Sequence, residues 1–391
     1  MEAFTLLKDL VSIDSTNPGK GEGEVADYLI RVLREPFEKI GGFYERIDCE
    51  GNRPILRFVL PGEDREKCFS FICHMDTVPI GLNWSKNPFG ELEGNRFYGR
   101  GSSDMKAGLA SASAAFLSFL GDFASTEKEC NKKRLSSGLQ IIFTYDEEGE
   151  MKGVEEAIKR KWITKDTLLM DTEPTDESIQ TAHKGRFWYR VLFHGKAAHA
   201  SEPEMGTDAI LCMGMTLQYA KEAVEKLKVD SFLGDSKICF GQCKGGIHPY
   251  QVPAEAECSV DMRLVPPYTV EDGREILLKA GEKVKEKYPG LRLDVEIKGN
   301  RPAIPHYLDN ALLPLLKNAI EKSGYKAEVL PFPGYTDTAV AAGILGNKNT
   351  LSYGPGSLKV AHQRDEFLEI DDLERCTKIY RKLLDSFILS C

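Results

Sequence analysis

The ten cysteines form no C-x-x-C pair and are scattered from Cys49 to Cys391. Cys239 and Cys243 lie four apart, but no second pair completes a zinc knuckle. The expectation is reduced thiols that pack as small apolar groups in a reducing compartment. Long apolar runs are also lacking. The longest, residues 105–120, contains Lys106 and several serines, and it falls short of the ~20 apolar residues that a membrane span requires. The opening MEAFTLLKDLVS has no basic start, apolar core and small-residue cleavage site, so no signal peptide is read. There is no basic excess: 51 Lys and Arg stand against 60 Asp and Glu, a net charge of −9. Such a balance argues against nucleic acid or an anionic membrane as a partner. Walker A, H-E-x-x-H and G-x-S-x-G motifs are absent, and GKGEGE at 19–24 fails the G-x-G-x-x-G spacing. The class left standing is a cytoplasmic globular protein without a nucleotide site.

What is present is a chain of 391 residues, 42% hydrophobic and 28% charged. That length suits two domains. After the Asn17-Pro18-Gly19 break, apolar residues recur at helical spacing (Val25, Leu29, Val32). Short apolar runs at 68–73, 139–145 and 167–170 read as buried strands, with helices at 105–120 and 153–162 between them. This alternation predicts an α/β fold, a mostly parallel sheet with helices on both faces. From about 183 the rhythm changes to strand 187–193, helix 207–228, strands 237–243 and 255–264, helix 271–288 and strand 291–298. That β-α-β-β-α-β order is ferredoxin-like. Strand–helix alternation then resumes and ends in a helix at 371–388. The expected organisation is a catalytic domain in two parts, 1–182 and 299–391, with an α+β domain at 183–298 inserted between them.

Metal-competent side chains fall at strand ends. His74 and Asp76 follow the strand at 68–73. Glu147 and Glu148 follow 139–145, and Asp171 and Glu173 follow 167–170. Asp104 sits between a Gly-rich turn and the helix at 105–120, and His362 comes after the turn Gly354-Pro355-Gly356. Singly, each has an ordinary explanation; an Asp before a helix, for example, is a common N-cap. Together, five segments deliver His or carboxylate to the one sheet edge where α/β folds bind ligands. Two histidines with carboxylates suit Zn²⁺ or another borderline divalent ion better than Ca²⁺ or an iron–sulfur cluster. A carboxylate that bridges two ions would serve a two-metal hydrolytic site. Adjacent glutamates point apart, so one can bind metal while the other acts as base on water.

These segments resemble the motifs of the M20 metallopeptidase family. ICHMDTVP (72–79) is similar to its His-x-Asp-x-x-Pro motif, and YGRGSSDMKAGLA (98–110) to its second. DEEGE (146–150), MDTEPT (170–175) and GPGSLKVAHQRDEF (354–367) match the remaining ligand motifs in order and spacing. Within the family, GRGSSDMKAG, EPT, AHKG and the late GPG…AH resemble acetylornithine deacetylase and succinyl-diaminopimelate desuccinylase. The resemblance implies two Zn²⁺ per subunit, replaceable by Co²⁺ or Mn²⁺, with Asp104 bridging them. His74, Glu173, Glu148 and His362 would be terminal ligands, Asp76 would orient His74, and Glu147 would be the general base. It also implies a lid at 183–298 that forms a homodimer. His199, in GKAAHASEP, would reach the partner's site and stabilise the oxyanion, and Arg263, in DMR, would hold the substrate carboxylate. Gly334, Tyr335, Thr336 and Asp337 match the family's Gly-x-Thr-Asp turn near the substrate. A cis peptide is implied between Asp104 and Met105.

One departure concerns the lid pattern Gly-Gly-x-x-x-Asn-Val-x-Pro, which here reads Gly245-Gly246-Ile247-His248-Pro249-Tyr250-Gln251-Val252-Pro253. Tyr250 stands where a substrate-contacting Asn is expected, and His248 is a second lid candidate. The function implied is metal-dependent amide hydrolysis of a small substrate with a free carboxylate, an N-acyl amino acid deacylase in which Glu147 activates water. The alternative on the same scaffold is a dipeptidase or carboxypeptidase. A non-catalytic binding protein is disfavoured, because the base and every ligand position are retained.

Overall fold

The structure, a computed structural model, describes residues 2–19, 21–126 and 134–389. The chain divides into two compact units. The first comprises the residues up to Thr181, Tyr307–Phe332 and everything from Thr336; the second comprises Ala182–His306 and Pro333–Tyr335. The first unit opens with α1 (Ala3–Ser12), α2 (Glu22–Glu38), β1 (Phe43–Asp48), β2 (Pro54–Leu60) and β3 (Asp64–His74). It continues through β4 (Glu91–Glu93), β5 (Arg96–Tyr98), α3 (Lys106–Thr126), β6 (Ser137–Thr144), α4 (Lys152–Lys159), β7 (Leu168–Asp171) and β8 (Ile179–His183). The second unit runs β9 (Arg186–His194), α5 (Ala209–Glu225), β10 (Lys237–Gly245), β11 (Glu255–Arg263), α6 (Val270–Lys285) and β12 (Arg292–Arg301). The first resumes with α7 (Leu312–Lys322), β13 (Val329–Phe332), α8 (Asp337–Leu345), β14 (Thr350–Ser352), β15 (Phe367–Glu369) and α9 (Ile370–Asp385).

The main sheet has the order β1-β2-β6-β3-β7-β14-β8-β13. Its centre is parallel: β3 pairs in parallel with both β6 and β7, and β7 with β14. Strands covered on both faces carry continuous apolar runs, and all eight residues of β6 are buried. The helix α3 packs beside β3 and against α1, α2 and α9. Its alanines and serines allow close approach, and its fully buried Phe116 and Phe119 fill the remaining space. Burying each phenylalanine contributes about 1.5–3 kcal/mol.

The membrane expectation needs one correction. The helix continues past the apolar run to Thr126, because nothing at Gly121 or Asp122 stops it. Lys106–Ser125 is therefore long and apolar enough to cross a bilayer by length and composition. Its burial, 72% of the window, is that of a core helix.

The second unit is an antiparallel sheet, β10-β11-β9-β12, with α5 and α6. Its central strand β9 alternates inward and outward residues, so Tyr189, Val191 and Phe193 join Cys258, Val260 and Leu277 in a separate core. Asp208 caps α5 through its carboxylate, and a Thr269–Asp272 capping box starts α6. The eight described cysteines are free thiols; Cys130 and Cys391 lie outside the described residues.

Candidate metal centre

Strand register builds the site. His74 lies level with Thr144 across β3 and β6, Ile72 with Asp171 across β3 and β7, and Ser352 with Asp171 across β14 and β7. Four parallel strands therefore end at one level, and the residues that continue them meet there. His74 is the last residue of β3, rather than the first beyond it as the sequence suggests. Glu147 and Glu148 follow β6, Glu173 follows β7, and the chain after β14 turns towards His362. Asp104 arrives from the other side, on the turn between β5 and α3. The Asp104–Met105 peptide is cis, as the resemblance implies.

The two oxygens of Asp104 face different histidines. Oδ1 is 3.3 Å from His74 Nε2, and Oδ2 is 3.2 Å from His362 Nε2. On the first side, Glu173 Oε1 lies 3.6 Å from His74 Nε2. On the second, Glu148 Oε1 lies 2.9 Å from His362 Nε2. Ligand atoms of His74, Asp104 and Glu148 all lie within 4.8 Å of one another, as do those of His74, Glu147 and Glu173. His362 is half exposed and caps the cluster; the other donors are largely or wholly buried.

Asp76 meets His74 through its main chain rather than its carboxylate. The other ring nitrogen of His74, Nδ1, donates to the main-chain carbonyl of Asp76 at 2.8 Å, with the carboxylate at 3.7 Å. That carboxylate instead accepts the backbone N–H groups of Glu147 and Glu148, each at 3.2 Å. Asp76 thus fixes both the tautomer of His74 and the path of the two glutamates. Asn17, read from sequence only as part of a break, is buried and donates to Asp76 Oδ2 at 2.8 Å and to Asp146 Oδ1 at 3.2 Å. Its single local signal was the turn chemistry of Asn-Pro-Gly. Asp337, from the Gly-x-Thr-Asp turn, accepts from Thr144 Oγ1 at 2.6 Å. Thr336 Oγ1 lies 2.9 Å from that of Thr338, which donates to Asp171 at 2.6 Å.

Counting only the protein's own groups, the site carries crowded negative charge. Burial, then the Asp104 charge, pushes Glu148 up to about 7. Burial likewise raises Glu147 and Glu173 well above the usual carboxylate range, with neighbouring carboxylates adding to it. Asp104 goes the other way: burial opposes its charge, but hydrogen bonds from His362 and His74 hold it well below that range. His362 is lifted to about 10 by its bonds to Asp104 and Glu148. Burial opposes a charge on His74, yet Asp104 and Glu173 raise its ring well above the ordinary histidine value. A buried set of oxygen and imidazole donors that is starved of positive charge fits one or two divalent cations.

In the second unit, His199 is exposed on the segment between β9 and α5. Its Nδ1 accepts from the Ser201 hydroxyl at 2.7 Å and the Ser201 amide at 3.2 Å, so Nε2 carries the proton. This segment bridges to the Tyr250 loop, with Ala200 N–H donating to the Tyr250 carbonyl. Tyr250 is 70% exposed, and its ring lies 5.3 Å from that of His248. Arg263 is held by Asp261, Nε at 2.8 Å and Nη2 at 3.0 Å. Gly334 and Tyr335 group with this second unit and Thr336 with the first.

An α/β core that gathers imidazoles and carboxylates around one central aspartate is the frame of a metal-dependent hydrolase. Residues 71–386 match the model of the peptidase family M20/M25/M40, and the chain belongs to that family. It is 30% identical over 325 residues to an acetylornithine deacetylase of Photorhabdus laumondii, covering 81% of this chain and 79% of that one. Among solved structures it is similar to an aminopeptidase of Bacillus cereus, with TM-score 0.75, 21% identity and 98% of each chain covered. It is also similar to a dinuclear metal-binding M20 peptidase of Bacillus subtilis, with TM-score 0.70, 15% identity, and 98% and 97% covered. The last two likenesses concern the fold.

Proposed function

We propose that this metallohydrolase removes the acyl group from an N-acylated amino acid, using two divalent cations, Zn²⁺ in the first instance with Co²⁺ or Mn²⁺ able to substitute. The observation that carries the reading is Asp104, whose two oxygens each address a different histidine with its own companion glutamate. His74 and Glu173 would hold one cation, Glu148 and His362 the other, and Asp104 both. Bound cations polarise the scissile carbonyl and lower the pKa of water. Glu147 stands beside them without a ligand's assignment. It takes a proton from the attacking water and returns it to the leaving nitrogen, so the amide and water become an acid and an amine. In a homodimer His199, with its proton on Nε2, would supply a donor to the oxyanion in the partner's site, and Arg263 would pair with the free carboxylate of the substrate. The likeness to acetylornithine deacetylase supports the deacylase reading. The match to a peptidase family supports a second, peptidase reading on the same scaffold.

The test is a hydrolysis panel of N-acetyl, N-succinyl and N-formyl amino acids beside dipeptides and tripeptides, with Zn²⁺, Co²⁺ or Mn²⁺ supplied. The deacylase reading expects kcat/KM on one acyl amino acid to exceed that on every peptide; the reverse order favours the peptidase. Glu147→Gln serves as the control. It should lower kcat by ~10²–10⁴-fold with metal content unchanged. A variant within threefold of wild type would assign the base elsewhere.

A further inference from the structure

Glu366 takes no part in the chemistry above, yet it is among the most thoroughly bonded side chains of the first unit. It is 1% exposed, and four donors converge on its carboxylate. Oε1 accepts the backbone N–H groups of Ser103 at 2.8 Å and Asp104 at 3.0 Å. Oε2 accepts the Gly101 N–H at 3.1 Å and Arg100 Nη1 at 2.5 Å. The main chain of Glu366 joins in, its carbonyl accepting the Gly99 N–H at 2.9 Å. The next residue opens β15, which pairs with β5, Phe367 opposite Tyr98. Every turn residue from Gly99 to Asp104 except Ser102 is therefore tied to this one glutamate.

The same segment carries His362, four residues earlier. It also reaches the turn at Ser357, whose N–H donates to Ser103 Oγ at 3.1 Å. The stretch from Ser357 to Phe367 thus presents one candidate ligand itself and grips the backbone of another, Asp104, from the distant turn. Backbone N–H groups and a guanidinium are all donors, so the clamp must be acceptor-only. An ionised carboxylate meets that need at both oxygens; a glutamine of the same shape would turn its NH₂ towards two donors.

We propose that Glu366 is the positioning residue of the two-cation centre, setting where the Asp104 carboxylate sits between His74 and His362. The proposal rests on the metal reading of Asp104 above. Residues that orient metal ligands typically change affinity or activity by ~10–100-fold when altered.

The experiment titrates Co²⁺ into chelator-treated wild type, Glu366→Gln and Asp104→Asn, and follows binding by calorimetry and by the visible absorption of Co²⁺. Thermal melting in chelator measures folding separately. Expected for Glu366→Gln is a folded protein whose affinity for at least one of two Co²⁺ falls ~10–100-fold. Its Co²⁺ spectrum should be altered, and kcat lowered more than KM is raised. Wild-type affinity and spectrum in Glu366→Gln, with only a lower melting temperature, would overturn the proposal and leave Glu366 a structural residue. If Glu366→Gln does not fold, Glu366→Asp carries the same test with its carboxylate one methylene short, and wild-type affinity and spectrum there overturn it equally. If Asp104→Asn itself binds two Co²⁺ as tightly as wild type, the metal reading of Asp104 fails, and this proposal fails with it.

Discussion

Glu148 shows how the site couples chemistry to stability. Its carboxyl is pushed from 4.5 to about 7 by burial and by Asp104. A group whose folded pKa is raised gives stability that is complete below the unfolded value and is lost as pH rises through the folded one. In chelator, the wild type should therefore weaken between pH 4.5 and 7. Glu148→Gln lacks this one titration, so it should weaken less over that range while its raised neighbours Glu147 and Glu173 still titrate, and above pH 7 it should be the more stable protein by up to roughly 3 kcal/mol. Melting temperatures measured from pH 5 to 8 in chelator check this, with the two curves meeting at the acid end. Parallel curves would contradict the assignment of a buried, charge-starved carboxylate. At this scale the candidate ligands were legible in sequence because each follows an apolar strand run or a glycine turn. Asn17 and Glu366 were not, since a hydrogen bond to a residue 59 or 262 positions away leaves no local pattern.

Elements have to meet closely for these side chains to converge, and two glycines show how closely. A Cβ on Gly108, in the first turns of α3, would stand 2.0 Å from the Thr172 carbonyl oxygen; one on Gly354, after β14, would stand 2.2 Å from the same atom. The strand end that delivers Glu173 is thus gripped from both sides by chains that cannot carry a side chain there. Gly108→Ala must displace backbone. Overpacking of this kind costs ~1–3 kcal/mol, a fall of roughly 2–10 °C in melting temperature. The displaced strand end should lower kcat/KM by at least ~10-fold through Glu173, in line with the sensitivity of sites to ~1 Å shifts. A variant that melts lower but keeps wild-type kcat/KM would show that Glu173 does not depend on this contact. Buried parallel strands and the β-α-β-β-α-β order were readable because their apolar periods are strong. β1 reads FYERID, half exposed and charged, and β4, β5 and β15 are three residues each. Such segments lack the burial that writes a pattern into sequence, and they went unread.

On the scale of the whole molecule, a C2 homodimer through residues 183–298 is expected, with His199 serving the partner's site. A mixture of His199→Ala and Glu147→Gln protein, each nearly inactive alone, should then regain activity. Random exchange makes half of the dimers mixed, and each mixed dimer has one intact site, so recovery should approach about a quarter of wild type. Light scattering should report the dimer mass. A fully active monomer, or no recovery after demonstrated subunit exchange, would contradict the arrangement. Legibility was lowest here. The order of elements in the second unit was plain, but Tyr250 at the usual Asn position and the pairing of Arg263 with Asp261 are set by single residues of loops and strand ends, which leave no periodic pattern.

The most direct test of the central claim is activity against cation content. Protein stripped exhaustively with chelator should be inactive on its best acyl amino acid substrate. It should recover as Zn²⁺ or Co²⁺ is added back, reaching a plateau near two equivalents per chain. Full activity at undetectable metal content would contradict the account at its foundation.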